Sequence, residues 1–245
     1  MELVHFNVTP HNAHYEGQYD ERALKWRRLG AADKSANLDA LLGGRQVKNV
    51  LEVGCGTGAV LAAVAARGIG ESHAGVDLAD PNAHKDPAAA ALNLIPYDGK
   101  VLPFAERSFD LAYASHVIEH VPDPRGLLRE IARVARRFIY VEVPCELHLR
   151  TTRRALQRTL DIGHINAYTP ESLQLLVESS GLDLESIRVF DHSLAVHRFH
   201  ASRAAAAIKL IVRRGLLRLN PTVASRLLTY HCGALMTVKD PISRS

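Results

Sequence analysis

Cysteine is scarce in this sequence, with three residues at positions 55, 145 and 232. So few and so scattered thiols exclude the disulfide framework of a small secreted protein and favour a reducing compartment. The first residues lack the basic start and apolar stretch of a signal peptide. No apolar run approaches the roughly 18 residues of a membrane-spanning helix. We therefore expect a cytoplasmic protein.

Acidic residues are missing from one long segment. Residues 192–239 contain no Asp or Glu and eight basic residues, whereas the whole chain has 30 Lys+Arg and 26 Asp+Glu. The other 197 residues thus hold 22 basic and 26 acidic residues. The net charge of +4 combines a slightly acidic body with a basic segment, and an acidic partner is expected at that segment.

Hydrophobic residues make up 47% of the chain and charged residues 23%, which is typical of a globular protein. Short β-branched runs predict strands at Val47–Val53, His73–Asp77, Ala91–Ile95, Phe109–Ala114, Phe138–Val143, Leu184–Phe190 and Gly233–Val238. Helical patterns lie between them, at Asp20–Leu42, Ala59–Ala66, Pro124–Ala135 and from Pro170 to Gly181. This alternation predicts an α/β fold with a mostly parallel sheet and ligands at the carboxyl ends of its strands.

A glycine-rich turn follows the first predicted strand. Gly54, Gly56 and Gly58 alternate with Cys55 and Thr57, so the spacing is G-x-G-x-G rather than the G-x-G-x-x-G of a dinucleotide-binding loop. Glycines allow the backbone to turn tightly and to approach a ligand closely. Asp77 ends the second strand, where a carboxylate can accept both hydroxyls of a ribose.

These motifs resemble those of the class I S-adenosylmethionine-dependent methyltransferases. The resemblance runs from about Leu24 to Val196. It rests on Glu52 with the glycine turn, on Asp77, on the block Asp98–Phe104 and on the segment Ser115–Pro124. It implies a Rossmann-like, seven-stranded sheet with an antiparallel last strand, helices on both faces and an N-terminal helical cap.

The resemblance also implies one methyltransferase domain over residues 1–245. Its parts would be an N-terminal arm and cap (1–44), a cofactor-binding core (45–191), a basic helical insertion (192–229) and a last strand with tail (230–245). The cofactor S-adenosyl-L-methionine, which leaves as S-adenosyl-L-homocysteine, would contact a set of residues spread over these motifs. That set is Glu52, Gly54, Cys55, Gly56, Gly58, Asp77, Leu78, Asp98, Gly99, Ser115 and Tyr19 of the arm.

Three histidines are candidates for the general base. His116 and His120 follow the fourth strand, where the methyl group should emerge, and His164 follows the fifth. His116, Glu119 and His120 also match H-x-x-E-H, a zinc-peptidase motif that belongs in a helix. We assign no metal ligand, although quinone-precursor O-methyltransferases resemble this segment and some carry a divalent cation near it.

The basic segment has three open interpretations. Ala204, Ile208, Ile211, Val212, Gly215 and Leu219 form an apolar helical stripe, away from Lys209, Arg213, Arg214 and Arg218. The helix could pack this stripe inward with its basic face in solvent, form a lid over an anionic substrate, or lie on an anionic membrane through residues 201–229. Nucleic acid is not an expected partner, since stacking aromatics are few.

The expected reaction is methyl transfer to an oxygen, or less readily a nitrogen, of a small biosynthetic metabolite that is anionic in one interpretation. Two alternatives remain open. One is a catalytically silent cofactor-binding module that serves a partner, and the other is a metal-assisted O-methyltransferase of the quinone-precursor type. The motifs do not indicate an oligomeric state.

Overall fold

The computed structural model describes residues 21–199 and 201–238. Its strands are β1 (Asn49–Val53), β2 (Ser72–Asp77), β3 (Asn93–Pro96), β4 (Phe109–Ser115), β5 (Ala135–Pro144), β6 (Asp183–Phe190) and β7 (His231–Thr237). Its helices are α1 (Glu21–Leu42), α2 (Ala59–Ala66), α3 (Pro124–Val134), α4 (Arg153–Asp161), α5 (Pro170–Ser179), α6 (Leu194–Phe199), α7 (Arg203–Leu219) and α8 (Pro221–Leu227). No helix of the described ranges is both long enough and apolar enough to cross a membrane.

The seven strands form one sheet in the order β3-β2-β1-β4-β5-β7-β6. The pairs from β3 to β5 are parallel, and β7 runs antiparallel to both β5 and β6. The predicted fold class is therefore confirmed. The order reverses between β1 and β4, and the carboxyl ends of adjacent strands on either side of such a point form a ligand crevice.

Two apolar layers cover the sheet because alternate residues of each strand face opposite sides. On β4, Leu111 and Tyr113 pack in one layer with α1 and α2, whereas Ala112 and Ala114 pack in the other with α3 and α5. Helix α5 begins at the N-cap residue that the sequence indicated. The Thr169 hydroxyl accepts a hydrogen bond from Ser172 N at 3.1 Å and caps α5.

Several predicted boundaries move in the structure. Ala135 begins β5 instead of ending α3, because it pairs with Phe109 of β4. β3 begins at Asn93 rather than Ala91. β7 begins at His231, two residues before the predicted start, because His231 pairs with Pro144 and Phe190. This last shift places a histidine at the sheet edge that carries the cavity described below.

The inward-packing interpretation of the basic segment is wrong. Ile208, Ile211, Val212 and Leu219 of α7 are exposed, whereas Arg213 is buried. Arg213 Nε donates to Asp191 Oδ1 at 2.7 Å, and the Tyr230 hydroxyl donates to the Arg213 carbonyl oxygen at 2.8 Å. A buried charge needs such a partner, and the pairing turns the apolar stripe toward solvent.

Candidate active site

A cavity of about 660 Å³ opens at the carboxyl ends of β1, β2, β4 and β5. It brings together most of the predicted site residues from distant parts of the chain. These are Glu52, Gly54, Cys55, Gly56, Asp77, Leu78, Gly99, Ser115, His116, His120 and His164. The volume falls in the range of small-molecule sites.

The glycine turn forms the floor of the cavity. Gly54, Gly56 and Gly58 have φ of 77°, 52° and 77°, the left-handed region that favours glycine. A Cβ on Gly54 would lie 2.4 Å from Val117 Cγ2, so close packing also demands glycine there. A Cβ on Gly56 would meet only Arg27 Nη1 at 3.5 Å. Gly56 thus presents bare backbone to the cavity, whereas Gly58 is not among the lining residues.

Glu52 and Ser115 leave buried polar atoms without partners. Glu52 Oε2 and Ser115 Oγ are buried without a hydrogen bond from any described residue, and both side chains line the cavity. Burial raises the pKa of the Glu52 carboxyl to about 8. A ligand that carries an ammonium group would satisfy this carboxylate, and the amino-acid end of S-adenosylmethionine carries one. The residues present therefore fit the cofactor that the resemblance implies.

Asp77 lies beside the glycine turn. Its Oδ2 accepts a hydrogen bond from Gly56 N at 2.7 Å, and Oδ1 accepts one from Ala79 N at 3.3 Å. Burial raises its pKa against these bonds. Leu78 lies against Gly99, where a Cβ would come within 2.5 Å of Leu78 Cδ2, and both residues line the cavity. A nucleoside is expected to occupy this side of the cavity.

The predicted cofactor contact Asp98 lies apart from the cavity lining. Asp98 is exposed and does not line the cavity, since its Oδ1 accepts from Lys100 N and Val101 N within its own turn. Its predicted contact with adenine stays a prediction. Tyr19 lies outside the described residues. Cys55 is buried, and burial raises the pKa of its thiol, which is consistent with a small filler rather than a nucleophile.

His116 has a strained backbone. Its φ of 59° is left-handed, which non-glycine residues adopt rarely and mostly at functional sites. A hydrogen bond from His116 N to the Glu142 carbonyl oxygen, at 2.8 Å, stabilises this strained conformation. The imidazole lies between buried groups, with Nε2 3.2 Å from His231 Nδ1 and Nδ1 3.4 Å from Glu119 Oε1. Burial lowers its pKa well below the usual value, so the ring is neutral at pH 7.

Glu142 is the centre of a buried polar network that the sequence interpretation missed. Its Oε1 accepts from Asn37 Nδ2 at 3.1 Å and lies 3.1 Å from His231 Nδ1, while Oε2 accepts from the Tyr140 hydroxyl at 2.6 Å. Burial alone would raise the pKa of Glu142, but the neighbouring His116 and His231 rings, 3.7 Å and 3.1 Å from Oε1, hold it well below its usual range. A charged residue inside the apolar run of β5 was the available signal.

Lys34 of α1, His192 and His231 also line the cavity and were not predicted. Burial lowers the pKa of Lys34, while attraction to Glu142, Glu119 and Glu52 opposes that shift. These side chains join His116 only because β7 lies next to β5 and α1 packs across this edge. Trp26, for which core packing was favoured, is half-buried and lines the cavity as well.

His164 forms a histidine–carboxylate pair at the cavity wall. Its Nδ1 lies 3.0 Å from both carboxylate oxygens of Glu146. Burial alone would lower the pKa of His164, but the bond to Glu146 raises it. The His120 ring stands edge-on to His164 with centroids 4.7 Å apart, and His120 Nδ1 lies 3.0 Å from the Gly163 carbonyl oxygen.

Glu119 completes this corner of the site. It is fully buried, both carboxylate oxygens lack a hydrogen-bond partner in the described structure, and burial raises its pKa to about 7. Glu119 and His120 lie in a single 3₁₀ turn, Ile118–His120, instead of the α-helix that the zinc-peptidase motif requires. Ligand atoms of Glu119, His120 and His164 lie within 4.8 Å of one another.

Comparison with known proteins agrees with this geometry. A family profile described as "Methyltransferase domain" matches residues 21–187. The chain belongs to this methyltransferase family. Its fold is that of the S-adenosylmethionine-dependent class I enzymes, and a solved geranyl diphosphate methyltransferase in complex with S-adenosylmethionine superposes with a TM-score of 0.63 at 13% identity, over 93% of this chain and 95% of that one.

Curated relatives match the methyltransferase over shorter stretches. An uncharacterized methyltransferase of Mycobacterium sp. (strain JLS) is 43% identical over 90 residues, which are 36% of this chain and 35% of that protein. A ubiquinone biosynthesis O-methyltransferase of Nitrosomonas europaea is 31% identical over 109 residues, 40% of this chain and 44% of that protein. The match thus spans about a third to under half of these relatives, and their activities are not transferred by it.

Proposed function

We propose that this methyltransferase moves a methyl group from S-adenosylmethionine to a hydroxyl oxygen of a small metabolite, with His164 as the general base. The observation that carries the proposal is the His164–Glu146 pair, whose histidine lines the same cavity as the glycine turn and Asp77. The cofactor supplies a methyl group on a positively charged sulfur. The chain then has to align the acceptor and remove its proton.

His164 is better placed than His116 to accept that proton. The bond to Glu146 uses Nδ1 of His164, and no described residue is hydrogen-bonded to its Nε2. A carboxylate on one ring nitrogen fixes the tautomer that leaves the other able to accept a proton. His116 Nε2 instead lies 3.2 Å from His231 Nδ1, and its Nδ1 faces the buried Glu119 carboxyl at 3.4 Å without a hydrogen bond to it. His120 Nδ1 is likewise engaged by a carbonyl.

The remaining cavity residues would bind the cofactor and orient the acceptor. Gly56 and Asp77 would hold the nucleoside, and Glu52 the ammonium group. Lys34 also lines the cavity, and its ammonium group would attract an acceptor that carries negative charge. Oxygen is preferred over nitrogen because a hydroxyl needs a base at neutral pH and the site provides one. Relatives named O-methyltransferase agree with this preference.

The test is turnover over a panel of phenols, hydroxy acids and sugars, followed as S-adenosylhomocysteine release. For any acceptor that reacts, His164→Ala should lower kcat about a hundredfold. His148→Ala, a histidine outside the cavity lining, should leave kcat unchanged. Full kcat in His164→Ala would refute the assignment of the base. Cofactor binding without turnover of any acceptor would favour the silent cofactor-binding module.

A metal-assisted reaction is the second candidate, favoured by the unsatisfied carboxylate of Glu119. Metal-bound histidines commonly donate their other ring nitrogen to a carbonyl or carboxylate, as Nδ1 of His120 and of His164 can here. A divalent cation at this corner would act as a Lewis acid toward the acceptor. His164 Nε2 cannot both bind a cation and accept a proton, so the two candidates exclude each other.

Calorimetric titration with Zn²⁺ and with Mg²⁺ separates these candidates. The metal-assisted reaction requires binding that disappears in Glu119→Gln and persists in Glu178→Gln, a control on an exposed carboxylate. Activity that survives a chelator, together with no calorimetric heat, supports the metal-free reaction with His164 as base.

A further inference from the structure

The rotation of α7 about its axis is set by its buried residues. Arg213 donates from Nε to Asp191 and from Nη2 to the Thr229 carbonyl oxygen at 2.5 Å, and its guanidinium lies 4.2 Å from the Tyr230 ring centroid. Ala206, two turns earlier, is the other buried residue of α7. These contacts fix one face of the helix against the body, and the opposite face must point to solvent.

That opposite face is apolar. Ile208, Ile211, Val212 and Leu219 are 62%, 71%, 54% and 85% exposed. Their spacing of three, one and seven residues places them on one stripe of the helix. Single exposed apolar residues are ordinary, but a contiguous stripe on one helix indicates a docking surface. We call these four residues the α7 stripe.

Basic side chains flank the α7 stripe. Arg203, Lys209, Arg214 and Arg218 are exposed on α7, and residues 192–239 contain no acidic residue. Arg226 of α8 is exposed and reaches Glu171 of α5 at 3.5 Å. The surface therefore combines apolar side chains with positive charge that few neighbouring carboxylates offset.

The surface continues toward the cavity. Leu149 N donates to the Arg226 carbonyl oxygen at 2.8 Å, which joins the segment before α4 to α8. Leu149 is 81% exposed, and α4 contributes Arg153, Arg154 and Arg158 with no buried residue of its own. Ile162, which follows α4, is exposed and lines the cavity.

We propose that the α7 stripe and its flanking basic residues bind the surface of an anionic lipid bilayer. An apolar helix face bordered by Lys and Arg places its apolar side chains at the acyl boundary and its charges at the headgroups. A second copy of this chain fits poorly, because it would bring the same positive surface against itself. Nucleic acid would leave the four apolar side chains without contacts.

Co-sedimentation of the full chain with vesicles tests this proposal. Binding should be strong to phosphatidylcholine mixed with phosphatidylglycerol, weak to phosphatidylcholine alone, and reduced by salt. Ile211→Gln with Leu219→Gln should lower the partition coefficient about tenfold, and so should Arg214→Gln with Arg218→Gln. Leu175→Gln and Arg129→Gln, on exposed positions of α5 and α3, are the matched controls.

Circular dichroism and S-adenosylhomocysteine binding should be unchanged in all of these variants, because none of the altered side chains lines the cavity. The proposal is overturned if the chain does not bind anionic vesicles, if it binds neutral vesicles equally well, or if the stripe variants bind as the controls do. A dimer in sedimentation velocity that Ile211→Gln with Leu219→Gln dissociates would also overturn it, in favour of a second copy.

Discussion

Alanine substitutions at three glycines with left-handed backbones separate an effect on cofactor binding from an effect on stability. Gly44, Gly54 and Gly56 have φ of 80°, 77° and 52°. Alanine in this region costs about 1–2 kcal/mol at each position. A Cβ would meet nothing within 4 Å at Gly44 and only Arg27 at 3.5 Å at Gly56. At Gly54 it would lie 2.4 Å from Val117, and overpacking adds about 1–3 kcal/mol.

In urea unfolding, Gly44→Ala and Gly56→Ala should therefore lower the free energy of unfolding by similar amounts, about 1–2 kcal/mol each. Gly54→Ala should lose about 2–5 kcal/mol, the sum of backbone strain and overpacking. Calorimetric titration with S-adenosylhomocysteine should distinguish Gly44→Ala from Gly56→Ala. Gly56→Ala should bind at least about tenfold more weakly, equivalent to 1.4 kcal/mol, because its methyl group occupies ligand space.

Gly44→Ala should bind S-adenosylhomocysteine like the wild type, since Gly44 lies outside the cavity lining. The reasoning is refuted if Gly56→Ala keeps wild-type affinity, or if its affinity falls only as much as that of Gly44→Ala.

Three further predictions concern buried charges. The free energy of unfolding should fall as pH rises from about 4.5 to about 8. Burial raises the pKa of Glu52 to about 8, so the folded state holds a proton over this range that the unfolded carboxyl has already released. Glu52→Gln should flatten this fall in urea titrations at several pH values. Glu142 has a depressed pKa in the folded state, so it stabilises the fold above the ordinary pKa of 4.5, and this stabilisation is lost as pH falls through the lower folded value. The difference in the free energy of unfolding between wild type and Glu142→Gln should therefore shrink on acidification. Arg213→Met should destabilise the fold by about 3–5 kcal/mol, because it leaves the buried Asp191 carboxylate without its arginine and with only His197 nearby, at 3.5 Å. Adding Asp191→Asn should recover part of this loss, and an Arg213→Met chain as stable as the wild type would contradict the account of α7.

The glycine turn and the acidic residue after β2 were predictable because their signal is local. Gly54, Gly56 and Gly58 occupy consecutive alternate positions, and Asp77 follows at a distance that one helix and one strand determine. Strand order adds nothing to this pattern. The cofactor side of the site could therefore be predicted before the sheet was known.

The network around Glu142 was not predictable in this way. His116 directly follows β4, Glu142 lies in β5 and His231 begins β7, and they meet only because β7 inserts between β5 and β6. No spacing in the sequence encodes that insertion. A hydrophobic pattern assigns each strand without assigning its neighbour.

The orientation of α7 shows a different limit. The helical spacing of its apolar residues is as predicted, but that spacing alone would place them against the protein core. The structure instead buries Arg213, because Asp191 and Tyr230 satisfy it. Long-range pairing of one charge outweighs the pattern of the four residues in the α7 stripe.

Cofactor binding by the cavity is tested most directly by calorimetric titration of S-adenosylhomocysteine into the wild type, Asp77→Ala and Asp80→Ala. Asp77 is buried beside the glycine turn, whereas Asp80 is exposed and does not line the cavity. The account predicts one site per chain, with affinity at least about tenfold weaker in Asp77→Ala and unchanged in Asp80→Ala. No binding by the wild type, or equal affinity in Asp77→Ala, would contradict it.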